Sequence, residues 1–316
     1  MNNVNCNLKK VEKMIGHTPL VCIEYKYNNT LCHVFAKLEW FNLTGSIKDR
    51  SAYEIIKDAY KTGKLKENQP ICEVTSGNMG ISLCAMAKVT HNPVIICIPK
   101  TMSIERIKLL QSFGAKVELL DDFPKCFEKA NEYEHQGAYL CKQFENESNI
   151  KAQTKTAKEI AQKLDDITTF VSGVGTGGTL IGIGKYLKKN FGTKVIAIDP
   201  KEAKLLTCGK SQGKHKIQGL SDEIIPKLYD KNVVDEIIEI ASDDAICMAR
   251  KLCKNLGLNV GISSGANFLG CVLSGQQSCV TVFADDNKKY LSTDLVNNKI
   301  KSNLVDNIKL IGYYVV

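Results

Sequence analysis

The sequence predicts a doubly wound α/β protein with mainly parallel sheets, and three observations carry that prediction. Strand-like and helix-like stretches alternate strictly along most of the chain, as repeated βαβ units do. The junctions that lead from a strand into a helix collect Gly, Ser and Thr, where open α/β sheets keep their ligand loops. The chain is also long enough, at 316 residues with 44% apolar and 24% charged residues, to bury a substantial core in one large or two medium domains.

Taken in order, Ile15-Gly16-His17-Thr18-Pro19-Leu20-Val21 reads as a turn into an extended segment, and His33 to Glu39 alternates as a strand does. After Lys48 the period becomes helical, with Tyr53, Ile55, Ile56 and Ala59 in one helix that ends near Gly63. A strand at Ile71 to Val74, a helix at Met79 to Lys88, a strand at Val94 to Ile98, a helix at Ser103 to Phe113 stopped by Gly114, and a strand at Val117 to Leu120 follow. The alternation resumes with a helix from Ala152 to Leu164, the strand Phe170-Val171, a helix from Leu180 to Lys189 and a strand from Val195 to Ile198. Ala203 to Asp230 has little periodic pattern and much Lys, Gly and Ser, so it reads as a long irregular excursion of the kind that is usually functional. Helices at Ser242 to Leu256 and Ala266 to Leu273 precede a strand at Val280 to Phe283. The apolar tail Ile308 to Val316 suits a terminal strand or a subunit contact.

Composition narrows the class. The net charge of +8 is interspersed with acids rather than gathered in a basic arm, so anionic small molecules suit the chain better than nucleic acid. Thirteen cysteines stand singly with no CxxC pair, which argues against zinc and for reduced thiols in a cytoplasmic protein. No stretch has the length of a secretory signal or of a membrane span.

Lys48 lies where a strand ends and a helix begins, a place where the helix dipole and the like charge of Arg50 favour a neutral, nucleophilic amine. Three further loops open helices. Thr75-Ser76-Gly77-Asn78-Met79-Gly80 has the hydroxyls and free N–H groups that suit a carboxylate, although the same residues also make an ordinary cap. Gly175-Thr176-Gly177-Gly178-Thr179 suits a phosphate, or else a tight structural turn; it lacks the spacing of a dinucleotide fingerprint and the lysine of a P-loop. Gly261-Ile262-Ser263-Ser264-Gly265-Ala266 offers a hydroxyl for a ring nitrogen, or a cap. An amine for an aldehyde, a phosphate cup, a hydroxyl for a pyridine nitrogen and an anion loop for an amino-acid carboxylate are together what pyridoxal phosphate chemistry requires.

With these segments, and with Thr101-Met102-Ser103-Ile104-Glu105-Arg106, His215-Lys216-Ile217-Gln218-Gly219 and Tyr290-Leu291-Ser292-Thr293, nearly the whole chain resembles the cysteine synthase and cystathionine β-synthase family, the fold type II, tryptophan synthase β-like pyridoxal phosphate enzymes. The resemblance implies that Lys48 holds the cofactor and moves the α-proton, that Asn78 meets its phenolic oxygen, that Gly175, Thr176, Gly177, Gly178 and Thr179 grip its phosphate, and that Ser263, rather than Ser264, faces its ring nitrogen. Thr75, Ser76 and Gly77 with Gln143 would hold the substrate carboxylate. It also implies a homodimer, and a small mobile domain of residues 41–145 closing on a larger one made of 1–40 and 146–316.

The departures bear on chemistry. Met79 stands where the asparagine loop of the family has threonine, from packing or from altered specificity. Ser221-Asp222-Glu223 replaces small residues in a loop that the resemblance places over the cofactor, and Asp285-Asp286 replaces a serine pair. Overall likeness implies β-replacement on a three-carbon amino acid through an aminoacrylate, as in cysteine synthesis from O-acetylserine and sulfide. Sulfide needs no base, whereas water or a thiol does, so Asp222 or Glu223 as a catalytic base implies instead a cysteine lyase releasing hydrogen sulfide, or a cystathionine- or lanthionine-forming relative. As solvated caps the same acids imply nothing. A nicotinamide oxidoreductase lacks its ribose-binding acid, and a catalytically silent binding homologue is at odds with the presence of Lys48, Asn78 and Ser263.

Overall fold

The computed structural model describes residues 2–316, with side chains from Asn7 onward. Eleven strands are present among them: β1 Leu20–Tyr27, β2 Thr30–Leu38, β3 Ile71–Val74, β4 Val94–Pro99, β5 Lys116–Leu120, β6 Tyr139–Leu140, β7 Thr169–Gly173, β8 Lys194–Pro200, β9 Glu236–Ile240, β10 Ser278–Phe283 and β11 Lys309–Val315. They form two sheets, in the orders β11-β1-β2-β10-β7-β8-β9 and β5-β4-β3-β6. The smaller sheet is parallel throughout, and the larger is parallel from β2 to β9. Its other end is antiparallel, because β1 and β2 are joined by Asn28-Asn29, both in the left-handed conformation that a tight hairpin needs, and because the apolar tail returns as β11 beside β1.

Both sheets are covered on both faces, which is why their central strands are apolar on successive residues. On the smaller sheet Ile71, Ile96 and Ile98 enter one core while Cys72, Val74 and Cys97 enter the opposite one. On the larger, Val171, Ile196 and Ile198 face one side and Phe170, Val195 and Ala197 the other.

Several elements escape the sequence pattern, the four-residue helix Asn303–Asp306 among them. Besides the helix Asn2–Glu12, there is a helix Phe123–His135 whose buried stripe is only Phe123, Cys126, Ala130 and Tyr133. Its start is nevertheless signalled by Asp122, which accepts from the Lys125 N–H at 2.9 Å, and by Pro124 in the first turn. β6 has two residues, too few for a period, and β9 is a half-buried edge strand flanked by glutamates. The expected helix from Ala266 begins earlier, at Ile262, which places Ser263 in its first turn. From Ala203 to Asp230 the chain is irregular apart from one turn of helix, Leu205–Cys208.

Candidate active site

The carboxyl ends of β2, β3, β7 and β10 converge on one cleft, lined among others by Lys48, Thr75, Asn78, Thr176, Asp222 and Ser263. Ser76, Met79, Gln143, Gly175, Gly177 and Thr179 line it too, so three separate loops and Lys48 meet as expected.

Lys48 is the first residue of the helix Lys48–Lys61. The approach to it is fixed by Gly45 in left-handed conformation, by Asp49, which accepts from the Thr44 N–H at 2.7 Å and the Thr44 hydroxyl at 2.6 Å, and by the Ile47 N–H, which donates to the Ala284 carbonyl at 2.9 Å. Burial holds the amine below the usual lysine range, against the pull of Asp222 and Asp285. The expectation for Arg50 fails. Residues i and i+2 of a helix do not share a face, and the guanidinium turns away to buried Glu39 (Nε to Oε2, 2.7 Å) and to Glu159 (Nη1 to Oε1, 2.6 Å).

After β3, Thr75 accepts the Gly77 N–H at 2.9 Å, and Gly77 takes φ +137°, a conformation closed to side chains. A Cβ there would lie 2.2 Å from the Arg106 side chain, and Gly77 itself does not line the cleft. Asn78 donates from Nδ2 to Asp285 Oδ2 at 2.7 Å, while its Oδ1 is buried without a partner among the described residues. Gln143 is held from behind: its Nε2 donates to the Val74 carbonyl at 2.6 Å and its N–H to Glu73 Oε2 at 3.1 Å. Burial raises that Glu73 carboxyl to about 8. Met79 is fully buried, packing in the core of the smaller sheet while also touching the cleft.

Beyond β7, the N–H groups of Gly175, Thr176, Gly177, Thr179 and Leu180 meet no acceptor among the described residues. Close approach explains the glycines. A Cβ on Gly175 would lie 2.2 Å from the Gly219 carbonyl oxygen, one on Gly178 2.4 Å from Asn149 Oδ1, and Gly177 has φ +83°. Gly178 packs behind the cup on Asn149 rather than lining it. Ser263 lines the cleft, whereas Ser264 is fully buried, its hydroxyl without a partner among the described residues.

The two acids part company. Asp222 is buried beside Lys48 and its carboxyl is raised to about 7 by burial, with Lys48 and Arg106 opposing and Glu223 adding to the rise. Glu223 is exposed and lines the adjoining channel, not the cleft.

Four residues absent from the predicted set complete the site. Asp285 is buried and accepts from both Asn78 and the Tyr290 hydroxyl (2.8 Å), with Arg106 Nη2 at 3.7 Å. The Arg106 guanidinium sits 4.3 Å from the Tyr290 ring centroid and donates to Gln218. Asn267 accepts the Gly173 N–H and donates to the Val282 carbonyl, both at 2.8 Å, locking β7 to β10. Arg106 and Tyr290 fall within the segments that carry the family resemblance; Asn267 has no such signal.

The unmet backbone donors, the orphaned Asn78 oxygen and a buried amine held below the usual lysine range fit a phosphorylated aldehyde with ring heteroatoms. The comparisons agree. Residues 11–285 match the family model described as pyridoxal-phosphate dependent enzyme. The chain is 40% identical to cysteine synthase B of Campylobacter jejuni over 91% of its own length and 98% of that protein. The hydrogen sulfide-producing enzyme Fn1055 of Fusobacterium nucleatum superposes with a TM-score of 0.94 at 40% identity, covering 99% of this chain and all of that one, and an aspartate-to-asparagine mutant of Fn1055 has been solved with an α-aminoacrylate intermediate. The cysteine synthase of Entamoeba histolytica superposes with a TM-score of 0.86 at 34% identity, over 94% and 93% of the two chains. A phosphate cup, an amine and a fold shared end to end with these enzymes leave one assignment: the chain belongs to the pyridoxal-phosphate dependent enzyme family, in its fold type II, cysteine synthase branch, and pyridoxal phosphate is its cofactor.

Proposed function

We propose that this enzyme acts on cysteine, releasing its sulfur as hydrogen sulfide and placing water or a second thiol on the β-carbon, with Asp222 as the base for the incoming nucleophile. With water the balance is cysteine plus water giving serine plus hydrogen sulfide. The observation that carries this reading is the Asp222 carboxyl, buried beside Lys48 and raised to about 7, where a base for a neutral nucleophile is most effective. The similarity to Fn1055, whose aspartate mutant holds the intermediate that precedes nucleophile addition, supports it.

Lys48 would hold the cofactor aldehyde, the N–H groups of Gly175, Thr176, Gly177 and Thr179 its phosphate, Ser263 its ring nitrogen and Asn78 its ring oxygen. Pyridoxal phosphate, when bound, makes Cα–H acidic and a β-substituent expellable by drawing electrons from Cα. Thr75, Ser76 and Gln143 would bind the substrate carboxylate, fixing Cα beside the Lys48 amine, while Gly77 would shape the loop from behind. That amine would take the α-proton, helped by burial that holds it below the usual lysine range. Asp222 then takes the proton of the incoming water or thiol. Glu223, exposed in the channel, is better read as a solvated residue of the entrance. Residues 41–145, which carry the whole smaller sheet, would close as a mobile domain. The exposed Ile311, Tyr313, Tyr314 and Val315 on the edge strand β11 offer a surface for the second copy of a homodimer. The free thiols suit a reducing, cytoplasmic setting. No helix among the described residues is long and apolar enough to cross a membrane.

Synthesis of cysteine from O-acetylserine and sulfide is the second reading, favoured by the identity to cysteine synthase B. Purified holoenzyme given cysteine alone separates the two. Sulfide and serine, or a thioether, should appear at matched rates; negligible turnover of cysteine with rapid synthesis from O-acetylserine and sulfide would return the chain to the cysteine synthases.

A further inference from the structure

We propose that His215 is a positioning residue for Asp222: its neutral imidazole pins the Ser221 carbonyl and thereby holds the turn that points the Asp222 carboxylate into the cleft. The inference rests on the reading of Asp222 as the base.

Asp222 is carried on unusual backbone. Ser221 and Glu223, on either side of it, have φ +47° and +63°, and Gly219 just before has φ +93°. Glycine accepts such angles freely, whereas serine and glutamate do so only when their surroundings hold them. The Ser221 N–H donates to the Val174 carbonyl at 2.8 Å, which ties the turn to the strand end that leads into the phosphate cup. The Ser221 hydroxyl lies 3.4 Å from Asp199 Oδ1 at the end of β8. The Ser221 carbonyl then meets two groups: the Glu223 N–H at 2.7 Å, which closes the turn, and His215 Nε2 at 3.3 Å.

The state of the imidazole follows from its other side. Nδ1 accepts the Ile217 N–H at 3.2 Å, which only an unprotonated nitrogen can do. The ring proton is therefore on Nε2 and donates to the Ser221 carbonyl. Burial favours this neutral form, against the carboxylates of Glu202, Asp199 and Glu223 that face the ring. His215 thus acts as a fixed strut, one nitrogen on the backbone of its own segment and the other on the turn that presents Asp222. Asp222 and His215 both line the channel that adjoins the cleft, so a turn set free could swing the carboxylate toward solvent.

The test uses holoenzyme with cysteine as substrate and follows the first sulfide released, the steady formation of serine and its pH dependence. His215→Phe removes both bonds. It should leave cofactor content and the first release of sulfide unchanged, slow serine formation roughly tenfold or more, and move the midpoint of its pH profile from about 7 toward the ordinary carboxylate range, as an exposed Asp222 requires. His215→Asn, which keeps an acceptor and a donor, should recover part of both effects. A purely structural role would lower stability without moving the midpoint. Should His215→Phe not fold, His215→Ala, which removes the same two bonds without the bulk of a ring, must show the same loss and the same shift. Wild-type serine formation with an unmoved midpoint in the variant that folds overturns the proposal. Asp222→Asn reports separately: if it leaves serine formation within a few-fold of the parent, the reading of Asp222 fails, and with it the role of His215.

Discussion

Lys48 and Asp222 meet in the cleft with their titrations displaced toward each other, the amine pushed down and the carboxyl pushed up to about 7, each by its own burial. Each charge partly offsets the displacement of the other. One cleft thereby holds two groups whose neutral forms burial favours, an amine proposed for the α-proton and a carboxyl proposed for the nucleophile.

The Lys48 assignment is tested by attachment. The holoenzyme should be yellow, and borohydride should fix the cofactor to the peptide that contains Lys48. Lys48→Ala should abolish turnover yet melt close to the parent apoprotein, because the residue lines the cleft and is not part of the apolar core. Cofactor recovered on a different lysine would end the assignment.

Gly175→Ala addresses the cup. The added Cβ would meet a backbone oxygen, that of Gly219, at 2.2 Å, and a backbone cannot yield as the tip of a side chain can. Overpacking of this kind costs about 1–3 kcal/mol. We expect a lower melting temperature and weaker cofactor binding together, measured by thermal unfolding and by titration of apoprotein with pyridoxal phosphate; parent values in both would mean that the loop has more room than its geometry allows.

Lys48 and the three loops were legible because each is a local signal, a Gly, Ser or Thr cluster where a strand period gives way to a helix period. The Asp285, Arg106 and Tyr290 cluster was not, since Arg106 lies on the helix Ile104–Ser112 and Asp285 beyond the end of β10, and they meet only in the folded chain. Asn267 is hidden for the same reason, bridging two strands from a helix. Adjacent acids were indistinguishable until the turn at Ser221 buried Asp222 and exposed Glu223. The error over Arg50 came from counting neighbours in sequence where helical geometry separates them.

Ser263 and Ser264 are next to each other but differ in surroundings. Ser263→Ala should alter the visible spectrum of the bound cofactor and weaken its binding by about 1 kcal/mol, the value of a neutral hydrogen bond. Ser264→Ala removes a buried hydroxyl that has no partner, so it should leave the spectrum alone and cost little stability. The reverse pattern, a changed spectrum from Ser264→Ala only, would exchange their roles.

Asp222 should also cost the folded apoprotein stability. Its folded pKa of about 7 lies above the ordinary aspartate value, so between about pH 4 and 7 the folded state binds more protons than the unfolded one, and stability from this group falls as pH rises. Asp222→Asn should therefore melt close to the parent near pH 4 and progressively above it toward pH 7, by no more than about 4 kcal/mol. A difference that does not grow with pH would mean that Asp222 is not buried in solution.

The same substitution separates the two chemistries, because only one of them needs a base at the β-carbon. Cysteine loses its sulfur with the α-proton going to Lys48, so Asp222→Asn should still release a first sulfide, close to one per active site, when mixed with cysteine. Addition of water or a thiol then requires a proton acceptor that asparagine does not supply, and steady serine formation should fall about a hundredfold or more. In the parent that step should accelerate as pH rises through about 7, where the Asp222 carboxyl ionises, and the acceleration should vanish in the variant. Glu223→Gln, altered at an exposed position in the channel, should keep both the burst and the steady rate within a few-fold of the parent. Sulfide adding to the same carbon is already substantially ionised and asks nothing of Asp222. A parent enzyme that is slow with cysteine and fast with O-acetylserine and sulfide, with Asp222→Asn no slower, would make this carboxylate a bystander to cysteine synthesis.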